Sequence, residues 1–157
     1  LLEKNGKLKA VVTQNIDGLH QAAGSENVLE LHGSVMRNYC LSCGKKYTLE
    51  EFLDLKGAVP KCTECGGMVR PDVVLYEESL DENVISKSVS AIADADVLIV
   101  IGSSLVVYPA AGFLNYYRGN KLILISRDPT PYDRRANLVI NRSAGEVLDS
   151  VIRMICQ

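Results

Sequence analysis

The sequence predicts an α/β chain: a parallel sheet flanked by helices and interrupted by a small four-cysteine ribbon. Residues 97–101 and Leu122–Ile125 are unbroken apolar runs. That is the pattern of strands covered on both faces, as parallel strands usually are. Segments of helical period alternate with such runs, and the alternation implies right-handed crossovers between parallel strands. The ribbon is predicted by Cys40, Cys43, Cys62 and Cys65, two C-x-x-C pairs separated by residues 44–61.

In chain order, residues 9–13 (K-A-V-V-T) read as a strand that ends in a polar cluster, Gln14-Asn15-Ile16-Asp17-Gly18. Residues 28–31 are a second short strand, ending at His32-Gly33. Residues 36–70 form the ribbon, with a helical turn over 49–55. Residues 80–95 carry apolar side chains at 84, 85, 89 and 92, a helical period. The run 97–101 is a strand closed by Gly102-Ser103-Ser104. Residues 109–117 read as a helix, with Pro109 suited to its first turn. Leu122–Ile125 and Leu138–Ile140 are further strands. Residues 143–155 form an amphipathic helix with Ser143 placed to cap it and Cys156 at its end.

The chain has 157 residues, 17 Lys+Arg against 19 Asp+Glu, and 47% hydrophobic residues. That is one ordinary folded domain in size, and neither disordered nor collagen-like. A dedicated DNA-binding protein would show a basic excess. No apolar run approaches the ~20 residues needed to cross a bilayer, and no basic segment with a following apolar one opens the chain. A cytoplasmic location, with no membrane and no direct nucleic-acid partner, is the expectation.

Each C-x-x-C pair sets two thiolates on one tight knuckle, and two facing knuckles complete a tetrahedron for one Zn²⁺. Gly44, Gly66 and Gly67 supply permissive backbone there. Paired disulfides or a redox C-x-x-C are the competing readings. If all four zinc ligands come from the protein, no position stays open for substrate, so the site is structural.

Ligands of open parallel sheets bind beyond the carboxyl ends of the strands. Three polar clusters fall at such ends: 13–17, 102–104 and 126–128. Gly102, Ser103 and Ser104 follow a strand and precede a predicted helix, where backbone N–H groups can hold a phosphate. By itself that string is also an ordinary turn.

T-Q-N-I-D-G-L-H (13–20) followed by L-H-G (31–33) resembles the sirtuin family, the NAD-dependent protein deacylases. The resemblance continues through C-x-x-C-G (40–44), C-x-x-C-G-G (62–67), R-P-D-V-V-L-Y-E-E (70–78), G-S-S-L-V-V-Y-P (102–109) and S-A-G-E-V-L (143–148). It covers nearly the whole chain. The implied fold is a Rossmann-like parallel sheet, residues 1–35 and 71–157, with an inserted four-cysteine zinc ribbon, residues 36–70. Sirtuins normally begin with a further strand and a Gly-rich turn that grips the NAD pyrophosphate. Residues 1–10 resemble the stretch just upstream of T-Q-N-I-D, so the N-terminal part of the sheet is expected to be missing. The chain looks like the C-terminal two-thirds of a sirtuin core, and by itself is expected to be weak or inactive.

In the family, nicotinamide leaves NAD as the acyl oxygen attacks the ribose, and a histidine then deprotonates a ribose hydroxyl. His32 matches that base, a task suited to an imidazole titrating near working pH. Asn15 and Asp17 match the pair that orders ribose and nicotinamide, and Gln14 matches a ribose contact. Gly102, Ser103 and Ser104 match the cofactor loop, which Ser126 and Arg127 extend. Val74, Tyr76 and Val106 match residues touching the acyl-lysine of a protein or peptide substrate. Each also has a plain reading: Asp17-Gly18 as a turn, and Val74, Tyr76, Val106 and Val107 as core. His20 reads as structural. The resemblance thus implies catalysis with NAD, one structural Zn²⁺ and an acyl-lysine partner.

Two departures stand out. The channel segment usually carries Phe then Gly before its Glu, whereas here it reads Tyr76-Glu77-Glu78. After Leu122–Ile125 the family often has Asn for the adenosine ribose, and here Ser126-Arg127 stands instead. Two other classes compete with the deacylase reading. A zinc-ribbon nucleic-acid module would need a basic footprint. Lys45, Lys46, Lys56, Lys61 and Arg70 are nearly matched by Glu50, Glu51, Asp54 and Glu64. A nicotinamide-dependent oxidoreductase would want G-x-G-x-x-G after its first strand, a string this chain lacks.

Overall fold

The computed structural model describes residues 1–106, 108 and 110–155. Val107, Pro109 and Cys156 lie outside the described residues. The chain forms two compact units, Leu1–Lys87 and Ser88–Gln157.

In the first unit, β1 (Val11–Thr13) leads through a short helical turn α1 (Leu19–Ala22) to β2 (Val28–Glu30). The two strands pair in parallel, Val11 opposite Val28 and Thr13 opposite Glu30. The ribbon follows without a linker. Its long strand β3 (Gly33–Cys40) pairs antiparallel with β4 (Lys46–Thr48) on one side and β5 (Val69–Val73) on the other. The register of β3 against β5 shifts between Ser34 and Asn38, a bulge that bends the ribbon. Asn38, almost fully buried, spans the bulge by donating its side-chain amide to the Val35 and Thr48 carbonyls.

The predicted turn at 49–55 is the helix α2 (Leu49–Leu53), started by a reciprocal cap. The Thr48 hydroxyl accepts the Glu51 N–H at 3.2 Å, and Glu51 Oε2 accepts the Thr48 N–H at 2.8 Å. Phe52 and Leu55 cover a buried cluster of Cys40, Tyr47, Cys62 and Val69. The ribbon therefore has a small core of its own.

The helix α3 (Glu82–Ala93) contains the boundary between the units. In the second unit β6 (Leu98–Ile101), β7 (Leu122–Ile125) and β8 (Leu138–Ile140) form a parallel sheet in the order β6-β7-β8. Leu122, Leu124 and Ile125 are buried, as an apolar run predicts for a central strand. β6 departs from expectation. Leu98 and Val100 pack on the core, but Ile99 and Ile101 are each 41% exposed. It is the edge strand of its sheet, so within its unit only one face is covered.

Residues Ala110–Tyr116 form a 3₁₀ segment rather than the predicted α-helix. Its tighter winding stacks positions three apart, and Ala111 and Leu114 are both buried at that spacing. The last helix α4 (Ala144–Ile155) matches the predicted period. Val147 is buried, whereas Leu148, Val151 and Ile155 remain exposed.

Candidate functional site

The cysteine cluster is built by two self-closing knuckles. Cys40 ends β3, and its carbonyl accepts the Gly44 N–H at 3.0 Å. The Cys62 carbonyl accepts the Gly66 N–H at the same distance. Both glycines have positive φ, 73° and 72°. A side chain on Gly67 would collide with Ser42 and come within 3.0 Å of Cys40 Sγ.

All four sulfurs lie within 4.8 Å of one another. Cys40 Sγ and Cys65 Sγ are 3.5 Å apart, and Cys43 Sγ and Cys62 Sγ 3.6 Å. A tetrahedron with Zn–S bonds of about 2.3 Å has edges of about 3.8 Å, so the set fits one zinc ion. The separations also leave the thiols free of S–S bonds.

Hydrogen bonds prepare the thiolates. The N–H groups of Ser42, Glu64 and Gly67 donate to Cys40, Cys62 and Cys65 sulfurs, each at 3.4 Å. The Tyr47 hydroxyl donates to Cys62 Sγ at 3.1 Å and, with these neighbours, draws that thiol down to about 6. The Lys45 N–H pulls Cys43 the same way, but the adjoining Cys65 thiol and desolvation push it up to about 12. Four protein ligands close the coordination sphere, so a zinc here holds the fold and offers no open position for chemistry.

The second constellation lies where β1, β2 and β5 end. The Leu31 N–H donates to the Thr13 carbonyl and the Val35 N–H to the Ile16 carbonyl, which brings 13–17 beside 31–35. The Thr13 hydroxyl accepts the Asn15 N–H at 3.1 Å, and Asp17 Oδ1 accepts the Leu19 N–H at 3.1 Å. Asp17 thus makes the turn that its sequence suggests. Asn15 and Asp17 are nonetheless exposed, with their remaining polar atoms open to a ligand.

His32 is half-buried, and its Nδ1 lies 3.0 Å from the Gln14 carbonyl. A carbonyl only accepts, so this contact assigns a proton to Nδ1, and in the neutral ring the lone pair is then on Nε2. The Val74 N–H donates to the His32 carbonyl at 3.0 Å, which lays the 74–78 segment against the histidine. Gly33 allows the close approach: its φ is 72°, and an added Cβ would collide with the Asp72 carbonyl.

Two arginines and the carboxylates they pair with brace this arrangement, and the sequence did not show these pairings. Arg37 on β3 donates to Glu30 of β2 at 2.6 Å and to Asp72 of β5 at 3.0 Å, so one guanidinium ties three strands. The Glu30 side chain is only 8% exposed. Arg70 clamps the loop after β5, donating to both Glu78 carboxylate oxygens at 2.6 and 3.0 Å and to the Val73 carbonyl at 2.6 Å. Glu78 also accepts the Leu75 N–H, and these bonds, Arg70's foremost, hold its carboxyl down to about 2. Tyr76 on this loop is fully exposed, which rules out the core reading for it, while Val74 is half-buried.

In the second unit, residues 102–104 end β6 and Ser126-Arg127 end β7. The two strands are parallel neighbours, so both clusters lie at the same end of that sheet. The Gly102 N–H donates to the Ile125 carbonyl at 2.9 Å, and the Ser103 hydroxyl accepts the Leu105 N–H at 3.2 Å. Val106 is exposed, so it too is not core. Among the described residues the 102–104 turn is not followed directly by a helix, and the next helical segment is the 3₁₀ turn Ala110–Tyr116.

A model described as "Sir2 family" matches residues 1–109. The chain belongs to the Sir2 family. An NAD-dependent protein deacetylase of Clostridium acetobutylicum is 62% identical over 151 residues, covering 96% of this chain and 62% of that relative. One of Clostridium perfringens is 63% identical over 152 residues, with the same coverage of each. A solved structure of Sir2 with a p53 peptide and NAD+ superposes at TM-score 0.91 and 40% identity. It covers 98% of this chain and 65% of the other. Sir2 bound to an acetylated peptide superposes at 0.91 with 39% identity, over 98% and 66%. The chain spans about three-fifths of the length of these curated relatives. In this Sir2 chain an α/β fold with parallel sheets and a four-cysteine cluster is therefore joined to the family's sequence. Among its described residues, no helix is long and apolar enough to cross a membrane.

Proposed function

We propose that this chain carries the catalytic part of an NAD-dependent protein-lysine deacylase, releasing nicotinamide, O-acyl-ADP-ribose and free lysine. The observation that carries the reading is His32. Its Nδ1 is tied to the Gln14 carbonyl, so that in the neutral ring the lone pair is on Nε2, and the segment carrying the exposed Asn15 and Asp17 runs alongside. The names of the relatives support the same reaction.

Bound NAD would supply an electrophilic ribose carbon and a nicotinamide leaving group. His32 Nε2 would be the group to take a proton from a ribose hydroxyl, and the Gln14 carbonyl, facing Nδ1, orients the ring for it. Asn15 offers an amide donor and acceptor to the nicotinamide side, and Asp17 a solvated carboxylate to the ribose. Gln14, Gly102, Ser103, Ser104, Ser126 and Arg127 bind the rest of the cofactor. Val74, Tyr76 and Val106 contact the acyl-lysine of a protein or peptide. Cys40, Cys43, Cys62 and Cys65 hold structural zinc. The division into a cofactor domain, 1–35 and 71–157, and a ribbon, 36–70, is our functional partition; its boundaries fall inside β3 and β5.

The competing readings gain nothing. The basic residues of the ribbon are nearly matched by its acidic ones, too small a balance to track a nucleic-acid backbone, and the relatives reported above are named deacetylases. The test is product analysis with NAD and an acetyl-lysine peptide, using the full-length enzyme. Nicotinamide together with acetylated ADP-ribose is expected. NADH absorbance in their place overturns the reading.

A further inference from the structure

The turn after β5 is acidic, closed and beside His32, and one of its charges is unspent. Residues 73–86 contain Glu77, Glu78, Asp81 and Glu82 and no Lys or Arg. Two of these carboxylates are occupied. Glu78 is matched by Arg70, and Asp81 accepts the Asn83 and Val84 N–H groups at the start of α3. Glu82 lies in the first turn of α3, where a negative charge suits the helix. Among the described residues Glu77 makes no ion pair, and it is exposed.

Its backbone is also unusual. Glu77 has φ 71°, a left-handed conformation that residues with a side chain seldom adopt. The turn around it is closed at both ends. The Glu78 N–H donates to the Leu75 carbonyl at 3.1 Å, and Glu78 Oε2 accepts the Leu75 N–H at 2.8 Å. Tyr76 and Glu77 are thereby left at the corner, both exposed. The Val74 N–H on the His32 carbonyl fixes this corner a few residues from the proposed base.

We propose that Glu77 is a specificity residue: it favours acyl-lysine peptides that carry a basic residue next to the modified lysine. The inference rests on the deacylase reading. It takes the flanking residues of an acyl-lysine at His32 to pass this corner, which the Val74 N–H ties to the His32 backbone. A carboxylate with no partner of its own attracts a passing guanidinium or ammonium and repels a carboxylate. Because Glu77 is solvated, the effect is that of an exposed ion pair, about two- to five-fold, and it is screened by salt.

The test is kcat/KM of the full-length enzyme on acetyl-lysine peptides identical except for Arg, Gln or Glu at the flanking positions. The expected order is Arg, then Gln, then Glu, each step about two- to five-fold at low ionic strength and shrinking at ~1 M salt. In Glu77→Gln the ratio of Arg to Gln peptides should collapse towards one. Glu77→Gly should do the same with a relaxed backbone, which separates charge from turn shape. A wild-type enzyme blind to flanking charge overturns the inference, as does a Glu77→Gln variant that keeps the full Arg preference. Turnover without charge preference removes this inference alone; no turnover of any peptide removes the deacylase reading and the inference with it.

Discussion

Each cysteine knuckle closes on itself: Cys40 is bonded to Gly44 and Cys62 to Gly66, four residues on. His32 is held from far away, by Gln14 before it and by the Val74 N–H well after it. Gly33 adds a tight approach to the Asp72 carbonyl, and Arg37 bridges Glu30 and Asp72. The knuckles are brought together by the pairing of β3 with β5, whereas the histidine needs β1 in place as well. The two are joined in series: β3 starts at the residue after His32, and β5 ends at the residue before Val74. The ribbon is thus a local device whose two long strands position a non-local one.

The strongest way to break this comparison is to remove a zinc ligand. Cys62→Ala should abolish stoichiometric zinc and melt the ribbon, because structural zinc contributes on the order of 10 kcal/mol to folding such modules. Metal analysis and thermal unfolding check this; a fully folded, zinc-free variant would make the cluster dispensable. His32→Ala attacks the other region without touching the fold. In the full-length enzyme it should lower deacylation about 10²–10⁴-fold, and nicotinamide exchange less, since the base acts after the glycosidic bond breaks. Near-normal turnover would move the base to another residue.

Gly33→Ala probes the junction itself. It forces a side chain into positive φ and against the Asp72 carbonyl, so a loss of about 2–3 kcal/mol is expected in denaturant unfolding. The smallest effect concerns the loop. Glu78 is held down to about 2 by Arg70 and the Leu75 N–H, below the ordinary carboxylate value of about 4.3. Its contribution to loop order is present above about pH 4.3 and is lost as pH falls through about 2. The protection of the 74–78 amides, measured relative to their intrinsic exchange rates at each pH, should therefore fall in that window in the wild type. Glu78→Gln should show faster exchange already at neutral pH and no such step.

Several features were legible because they depend on neighbours in sequence. Two C-x-x-C pairs define a tetrahedral donor set wherever they fold, and the helical turn expected at 49–55 is α2, which the structure shows to start at a Thr48–Glu51 cap. The apolar run Leu122–Ile125 reads as a buried strand and is one. At 97–101 a similar run overstates burial: it reports composition, and the edge position that exposes Ile99 and Ile101 is a property of the sheet. The helix expected at 109–117 has the right apolar residues, with Ala111, Phe113 and Leu114 buried, but Ala110–Tyr116 is wound as 3₁₀, which the apolar pattern does not distinguish from an α-helix.

The sequence alone determined the α/β pattern, the metal donors and, through its motifs, the identity of the candidate base and its neighbours. These follow from chemical type and short spacing, which survive any arrangement of the rest. Tertiary structure alone decided which nitrogen of His32 faces the Gln14 carbonyl, which carboxylates are occupied by Arg37 and Arg70, and that Glu77 makes no ion pair among the described residues. Each of those depends on which distant strand ends lie side by side, because hydrogen bonds and ion pairs act only over a few ångströms while the residues that make them lie far apart along the chain.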